Sequence, residues 1–102
     1  MVEMGVGRIV RTELNSRAKK PAYKLWIDFG AEIGTKTPSA QIVANYSEQH
    51  LQNRLVICAS NLGTRNIARF VSEVLTMGVD DENGNVVLLQ PANEVPLGTR
   101  LY

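Results

Sequence analysis

Short runs of alternating apolar and polar residues are the feature that most limits what this chain can fold into. In the clearest run, residues 22–29, one side of an extended chain would carry Tyr23, Leu25, Ile27 and Phe29. The other side would carry Lys24, Trp26 and Asp28. A period of two residues is typical of a β-strand with one buried face, and Gly30 then ends the run.

Further short segments rich in β-forming residues cover positions 2–9, 35–43, 55–60, 70–79 and 86–90. In the first of them Gly5 and Gly7 interrupt the packing and Ile9 falls out of phase, which predicts a bulged or strongly coiled strand. Residues 11–21 hold few large apolar side chains and are predicted to form an exposed loop. The Asn83-Gly84 pair suits a hairpin turn between the last two strands.

One short helix is predicted over residues 47–52, where Ser47 is a suitable N-cap and Leu51 an inward anchor. This helix falls between the third and fourth strands. The pattern therefore predicts an all-β fold, a five-stranded Greek-key barrel of the OB type. An SH3-like barrel would have similar strands but no reason for the helix. A length of 102 residues allows one such domain, spanning residues 1–102.

Residue types that support catalysis are few. The single histidine, His50, lies in the predicted helix and the single cysteine, Cys58, lies in an apolar strand, so a nucleophilic Cys–His pair has little support. One cysteine also excludes an internal disulfide and a CxxC metal motif. Phosphate-binding glycine loops of the GxxxxGK[ST] and GxGxxG types are missing from the sequence. We expect a protein that is not an enzyme and needs no cofactor or metal.

The location of the protein is predicted from its apolar runs. None approaches the roughly 20 residues that a membrane-spanning helix needs. The first 15 residues also lack the apolar middle of a signal peptide. A soluble, cytoplasmic protein without membrane insertion is expected.

The net charge of +1 conceals an uneven distribution. Residues 1–69 hold ten Lys/Arg against five Asp/Glu, a net charge of +5, whereas residues 70–102 hold one against five, a net charge of −4. This asymmetry suggests a surface that faces an anionic partner, although scattered solvated charges would give the same two net charges.

The basic residues gather in or beside two predicted loops. The candidate phosphate contacts are Lys19, Lys20 and Lys24 near the first loop, and Arg65 and Arg69 in the second. In an OB barrel the face of strands two and three and its flanking loops carry oligonucleotide contacts. Side chains suited to hydrogen bonds with bases or sugars are Ser39, Gln41, Asn61 and Ser72. Trp26, on the outer side of strand two, is a candidate for stacking on a base or a peptide side chain.

The order and spacing of many short motifs resemble one protein family. The motifs are YKLWIDFG at 23–30, EIG at 32–34, SAQI at 39–42, Tyr46, Asn61, Arg65, IA at 67–68, Phe70, SEVL at 72–75, Gly78, VVLLQP at 86–91 and VPLGT at 95–99. In this order they closely resemble the CsaA family. Its members are secretion-related chaperones and tRNA-binding proteins, built on the OB domain that is also appended to methionyl-tRNA synthetases.

The resemblance implies a homodimer that binds the outside of structured tRNA, or unfolded precursor proteins, without a catalytic step. Carried over by position, the family's binding surface falls on Ser39, Gln41, Asn61, Arg65, Ser72 and Glu73. Burying the Glu73 carboxylate in an apolar strand would be costly unless it is paired. We therefore hypothesise that Glu73 shapes the site through hydrogen bonds to Asn61 or Arg65.

Two departures from the family pattern change these expectations. The family's short N-terminal helix, which helps to pair the subunits, has almost no counterpart here. The predicted dimer must then rely more on other elements, such as the tail at residues 97–102. In the Asn61 loop the family's prolines and second basic residue are replaced by Gly63, Thr64 and Asn66, and Arg69 adds a charge.

Two functions share the predicted surface. In the first, Lys19, Lys20, Arg65 and Arg69 contact phosphates of tRNA, and the protein recognises mainly RNA shape. In the second, the protein is an export chaperone that holds extended precursor segments, with Trp26, Ile67 and Phe70 as apolar contacts. Salt dependence separates the two, because phosphate contacts weaken steeply with salt and apolar contacts do not.

Overall fold

The computed structural model describes residues 3–15, 21–60 and 74–102. Within these ranges the chain forms short strands and one helix: β1 (Glu3–Asn15), β2 (Ala22–Asp28), β3 (Thr35–Lys36), β4 (Ser39–Ala40), α1 (Glu48–Leu51), β5 (Leu55–Ser60), β6 (Val74–Thr76), β7 (Gly78–Asp80) and β8 (Val86–Leu88). The predicted all-β class is confirmed. Among the described residues, none of the helices is long and apolar enough to cross a membrane.

The strands form an antiparallel sheet in the order β3-β2-β1-β5-β6, with β4 also paired to β2. Because β4 approaches β6, the two ends of this sheet come together and nearly close a barrel. If β3 and β4 are counted as one interrupted strand, this is the strand order of the predicted OB barrel. β7 and β8 form a separate hairpin.

The first strand is long, bulged and shared between two neighbours. Its first half pairs with β5 and its second half pairs with β2. The register passes from Ile9 opposite Ile27 to Arg11 opposite Trp26, so Val10 is the extra residue of a β-bulge. The bulge that the glycines and Ile9 predicted is confirmed.

The prediction of a loop over residues 11–21 is wrong for its first part, because β1 continues to Asn15. The reason lies in the side chains on its two faces. Arg11 and Glu13 lie on the outer face, and the inward Thr12 is paired with Leu25. The other inward position, Leu14, is paired with Tyr23 but is half exposed, so the apolar alternation that identifies a strand from sequence is weak in this half.

The predicted strand at 35–43 is interrupted at Pro38. Proline has no N–H to donate to a neighbouring strand, so the run divides into β3 and β4. Its carbonyl still accepts a 2.9 Å hydrogen bond from the backbone N–H of Leu25. The predicted run at 70–79 divides too, at Met77, and its first four residues lie outside the described ranges.

The short helix is placed as predicted. The Ser47 hydroxyl accepts a 3.2 Å hydrogen bond from the backbone N–H of His50 and caps the helix. Leu51 is fully buried in the core. The predicted hairpin turn is also present: Gly84 has φ +80°, and the Asp81 carboxylate accepts hydrogen bonds from the N–H groups of Asn83 and Asn85.

Apolar side chains from the large sheet and from the β7–β8 hairpin fill the barrel. The core cluster includes Ile9, Leu25, Ile27, Val56 and Leu88. Cys58 belongs to the same cluster, and burial raises the pKa of its thiol to about 12. A neutral, buried thiol is the small core residue that the sequence predicted rather than a nucleophile.

Residues near the end of the chain extend the sheet beside the first half of β1. The N–H of Val6 donates to Thr99 O at 3.0 Å, Gly98 N–H donates to Val6 O at 2.8 Å, and Leu101 N–H donates to Met4 O at 2.9 Å. Several backbone groups of this segment are therefore paired within its own chain.

Candidate nucleic-acid interface

The outer face of the β1–β2 pair carries a cluster of charged residues around one tryptophan. The register sets Arg11 directly opposite Trp26 and Glu13 directly opposite Lys24. The residues of β2 that alternate with Lys24 and Trp26, such as Leu25 and Ile27, point into the core. The β-strand alternation predicted from sequence therefore places Lys24 and Trp26 on the outside, where a ligand can reach them.

The face of Trp26 is occupied by two cations. The Arg11 guanidinium carbon lies 4.4 Å from the ring centroid and the Lys24 ammonium nitrogen lies 5.2 Å from it. Both distances are within the range of a cation–π interaction. The indole thus holds two positive charges close together on the surface, which is an arrangement suited to binding phosphate groups.

The cations are weakly neutralised by the protein itself. The Arg11 guanidinium donates to the Glu13 carboxylate at 2.9 Å, and both side chains are more than half exposed. Exposed ion pairs of this kind contribute only about 0–1 kcal/mol. A phosphate can therefore replace the Glu13 carboxylate as the partner of Arg11 at little cost.

Two of the predicted polar contacts lie beside this cluster. Ser39 is paired with Lys24 across the β2–β4 ladder, and it is exposed. Gln41 follows two residues later and is also exposed. The structure therefore brings Lys24 and Ser39 together at one end of the outer face, and Gln41 is exposed two residues further along the chain.

The other predicted site residues lie outside the described ranges. They are Lys19, Lys20, Asn61, Arg65, Arg69, Ser72 and Glu73. The described residues that flank them are paired strand ends: Asn15 with Ala22 on either side of the first segment, and Ser60 with Val74 on either side of the second. β6, which begins at Val74 directly after the second segment, approaches β4, the strand that carries Ser39.

Arg11 is a member of the cluster that sequence reasoning missed. The sequence pattern predicts a loop at this position, and the placement of Arg11 opposite Trp26 depends on the bulge at Val10. The sequence signal that could have identified a strand here is the alternation of Arg11, Glu13 and Asn15 with less polar neighbours. Together with an antiparallel partner, that alternation places all three on one face.

Comparison with known proteins identifies the family. Residues 4–100 match the model of the tRNA binding domain family, tRNA_bind. The fold is similar to that of the chaperone CsaA from Bacillus anthracis, with 39% identity, a TM-score of 0.85, and coverage of 99% of this chain and 91% of that one. For the CsaA chaperone protein from Picrophilus torridus the identity is 40%, the TM-score 0.82, and the coverage 99% and 92%.

A longer relative is the methionine–tRNA ligase of Thermococcus onnurineus, which is 33% identical over 104 aligned positions. The match takes in 98% of this chain but only 13% of the ligase, so the chain spans a small part of that enzyme's length. The predicted resemblance to the CsaA proteins is confirmed, and the chain belongs to the tRNA-binding domain family.

Proposed function

We propose that this chain is a non-catalytic tRNA-binding protein of the CsaA type. The observation that carries the proposal is the family match over residues 4–100, a stretch that includes the Arg11–Trp26–Lys24 cluster on the outer face of the barrel. A binding role fits a face built from cations and one aromatic ring. Because tRNA is the proposed partner, a cytoplasmic location follows.

The proposed contacts divide into two chemical kinds. Cations neutralise phosphates; we assign this role to Arg11 and Lys24 on the described face, and to Lys19, Lys20, Arg65 and Arg69 in the flanking segments. Polar side chains at the end of the face meet bases or riboses; these are Ser39, Gln41, Asn61 and Ser72, with Glu73 orienting its neighbours. Contacts dominated by phosphates recognise the shape of folded RNA more than its sequence.

Titration with total tRNA at several salt concentrations tests the proposal. If about four or more phosphates are contacted, log K falls with log[salt] with a slope of several units. Lys24→Ala and Arg65→Ala should each weaken binding and lower that slope by about one. Arg100→Ala is the matched control, since Arg100 is exposed but lies on the segment paired with the start of β1. A flat salt dependence would refute the proposal.

A chaperone function is the second candidate, because the two CsaA structures are described as chaperones. Trp26 offers an apolar surface to a peptide, and Ile67 and Phe70 are the predicted apolar contacts beyond the described ranges. Binding of an extended precursor should persist at moderate salt and have a negative heat-capacity change. A denatured client that aggregates equally fast with and without the protein would exclude this function.

We also propose that two copies associate into a homodimer. A row of apolar side chains supports this, since Met4 and Leu75 lie across β5 from one another, both paired to Ala59, and both are exposed. Leu101 is exposed on the neighbouring segment. Sedimentation equilibrium should give twice the chain mass, and Leu75→Lys should give the monomer mass. A monomeric wild-type protein at micromolar concentration would contradict the proposal.

A further inference from the structure

A polar groove lies at the C-terminal end of α1, away from the residues assigned above. Its volume is about 400 Å³, and one wall is formed by residues 50–55 and the other by residues 90–94. This volume falls within the range of small-ligand sites, about 300–1,000 Å³. Unlike most such sites the groove is lined mainly by polar side chains, among them His50, Gln52, Gln90 and Asn93, which suits a polar ligand.

Arg54 is fixed at the groove by three contacts. Its Nε donates to the carbonyl of His50 at 3.1 Å, its Nη1 donates to Oε1 of Gln90, and its guanidinium carbon lies 5.1 Å from the Tyr46 ring centroid. Its Nη2 has no hydrogen-bond partner among the described residues. A guanidinium held in this way loses little conformational freedom when it binds an anion through the remaining nitrogen.

A side-chain hydrogen bond joins the groove wall to β1, the strand that carries Arg11. The Gln52 side-chain amide, in the groove wall, donates to the carbonyl of Val10 at 3.0 Å. The next residue along β1 is Arg11, whose guanidinium lies over Trp26. Two consecutive residues of β1, Val10 and Arg11, therefore contact the groove wall and the tryptophan face.

A second arginine, Arg8, lies at the edge of the groove. Arg8 donates from Nη1 to the carbonyl of Asn53 at 2.8 Å and from Nη2 to the carboxylate of Glu94. Glu94 is largely exposed, whereas Arg8 is mostly covered. The carboxylate thus neutralises Arg8 at the edge of the groove and leaves Arg54 as its available cation.

We propose that this groove binds one nucleotide of an unpaired RNA segment that continues from the Trp26 face. The proposal rests on the proposed function. A phosphate would accept hydrogen bonds from Arg54 Nη2, the exposed imidazole of His50 would stack on the base, and the amides of Gln90 and Asn93 would pair with its edge. Duplex RNA has no free base to place there, so the site adds affinity only for single-stranded segments.

Three variants of the full chain separate the parts of this site. Arg54→Gln removes the phosphate contact and should weaken binding of a short single-stranded oligoribonucleotide about tenfold. It should also lower the salt slope for that probe by about 0.7. His50→Ala removes the stacking ring and should weaken binding while leaving the slope unchanged. Glu94→Gln uncovers Arg8 and should strengthen binding.

A blunt RNA duplex of the same sequence is the control probe, and its affinity should be the same for wild type and all three variants. Because Arg54 also contacts Tyr46 and Gln90, thermal unfolding is measured for each variant. His50 has an exposed side chain, so His50→Ala tests the groove without the loss of stability expected when the Arg54 contacts are removed. Single-strand affinities that equal the wild-type value for both Arg54→Gln and His50→Ala would overturn the proposal.

The groove proposal and the proposed function can be refuted separately. If Lys24→Ala weakens binding of both probes while the groove variants bind like wild type, the groove proposal is wrong and the proposed function stands. If the wild-type protein binds neither probe nor tRNA, the proposed function is wrong, and the groove proposal is overturned with it.

Discussion

Replacing Gly7 by alanine should destabilise the barrel, because the added methyl group has no space. A Cβ on Gly7 would lie 2.5 Å from Cγ2 of Ile27 and 2.8 Å and 2.9 Å from two ring carbons of Phe29. Carbon atoms in good contact are about 3.5–4.0 Å apart. Each neighbour would therefore have to move by roughly 1 Å, and both are buried in the core beneath the Trp26 face.

Two effects of opposite sign set the magnitude. Overpacking a buried site typically costs about 1–3 kcal/mol, and three contacts this close favour the upper end. Alanine also restricts the unfolded chain, which stabilises the folded state by about 0.4–1 kcal/mol. The net loss for Gly7→Ala is about 2 kcal/mol, and for a domain of this length the midpoint of thermal unfolding should fall by roughly 8–16 °C.

Gly34→Ala is the control for the general effect of replacing a glycine. Gly34 has φ +85°, and a Cβ added there would have no neighbouring atom within 4 Å, so alanine meets only backbone strain of about 1 kcal/mol. Ile27→Ala in the Gly7→Ala background tests the contact itself. Removing Cγ2 of Ile27 should make the double variant more stable than the sum of the two single effects predicts. Additivity within about 0.5 kcal/mol, or an unchanged midpoint for Gly7→Ala, would refute the packing argument.

Three further predictions concern single polar groups, each measured by the free energy of unfolding in urea. The buried Thr12 hydroxyl has no hydrogen-bond partner among the described residues, so Thr12→Val should be neutral or stabilising, and a loss above about 1 kcal/mol would contradict this. The Tyr46 hydroxyl accepts a 2.9 Å hydrogen bond from Leu88 N–H, and Tyr46→Phe should cost about 1–3 kcal/mol, while Tyr102→Phe, at an exposed ring, should cost nothing measurable. Burial raises the pKa of Cys58 to about 12, well above the unfolded value of about 8.5, so its contribution to stability is complete below about pH 8.5 and declines as pH rises towards 12. Cys58→Ala should reduce the decline in stability between about pH 8 and 10, and an identical decline would show that Cys58 does not contribute to it.

Much of the fold could be predicted because it is encoded locally. Alternation over residues 22–29 reports which face of a strand is buried, and Ser47 supplies a cap through a contact three residues away. Residues 11–15 were predicted wrongly because their alternation is weak, with Leu14 as the one large apolar side chain among them. Their outer side chains are polar, so pairing with β2 decides their structure.

The candidate site could be predicted only in part, for a similar reason. Lys24, Ser39 and Gln41 were proposed from strand alternation and family resemblance; in the structure Lys24 and Ser39 are paired across β2 and β4, and Gln41 is exposed. Arg11 was missed because its place over Trp26 depends on one inserted residue, Val10, whose effect is visible only when two strands are paired. The groove at Arg54 was not predicted at all, since its two walls, at residues 50–55 and 90–94, are far apart in sequence.

The sequence by itself determined the class of fold, the buried faces of its clearest strands, the helix cap and the family. These properties follow from side-chain periodicity, a capping residue and the order of motifs, all of which are local or linear features of the chain. Only the tertiary structure decided which cations meet at Trp26 and which walls enclose the groove. Both depend on strand register and barrel closure, where residues distant in sequence are brought together by hydrogen bonds and core packing that no single segment specifies.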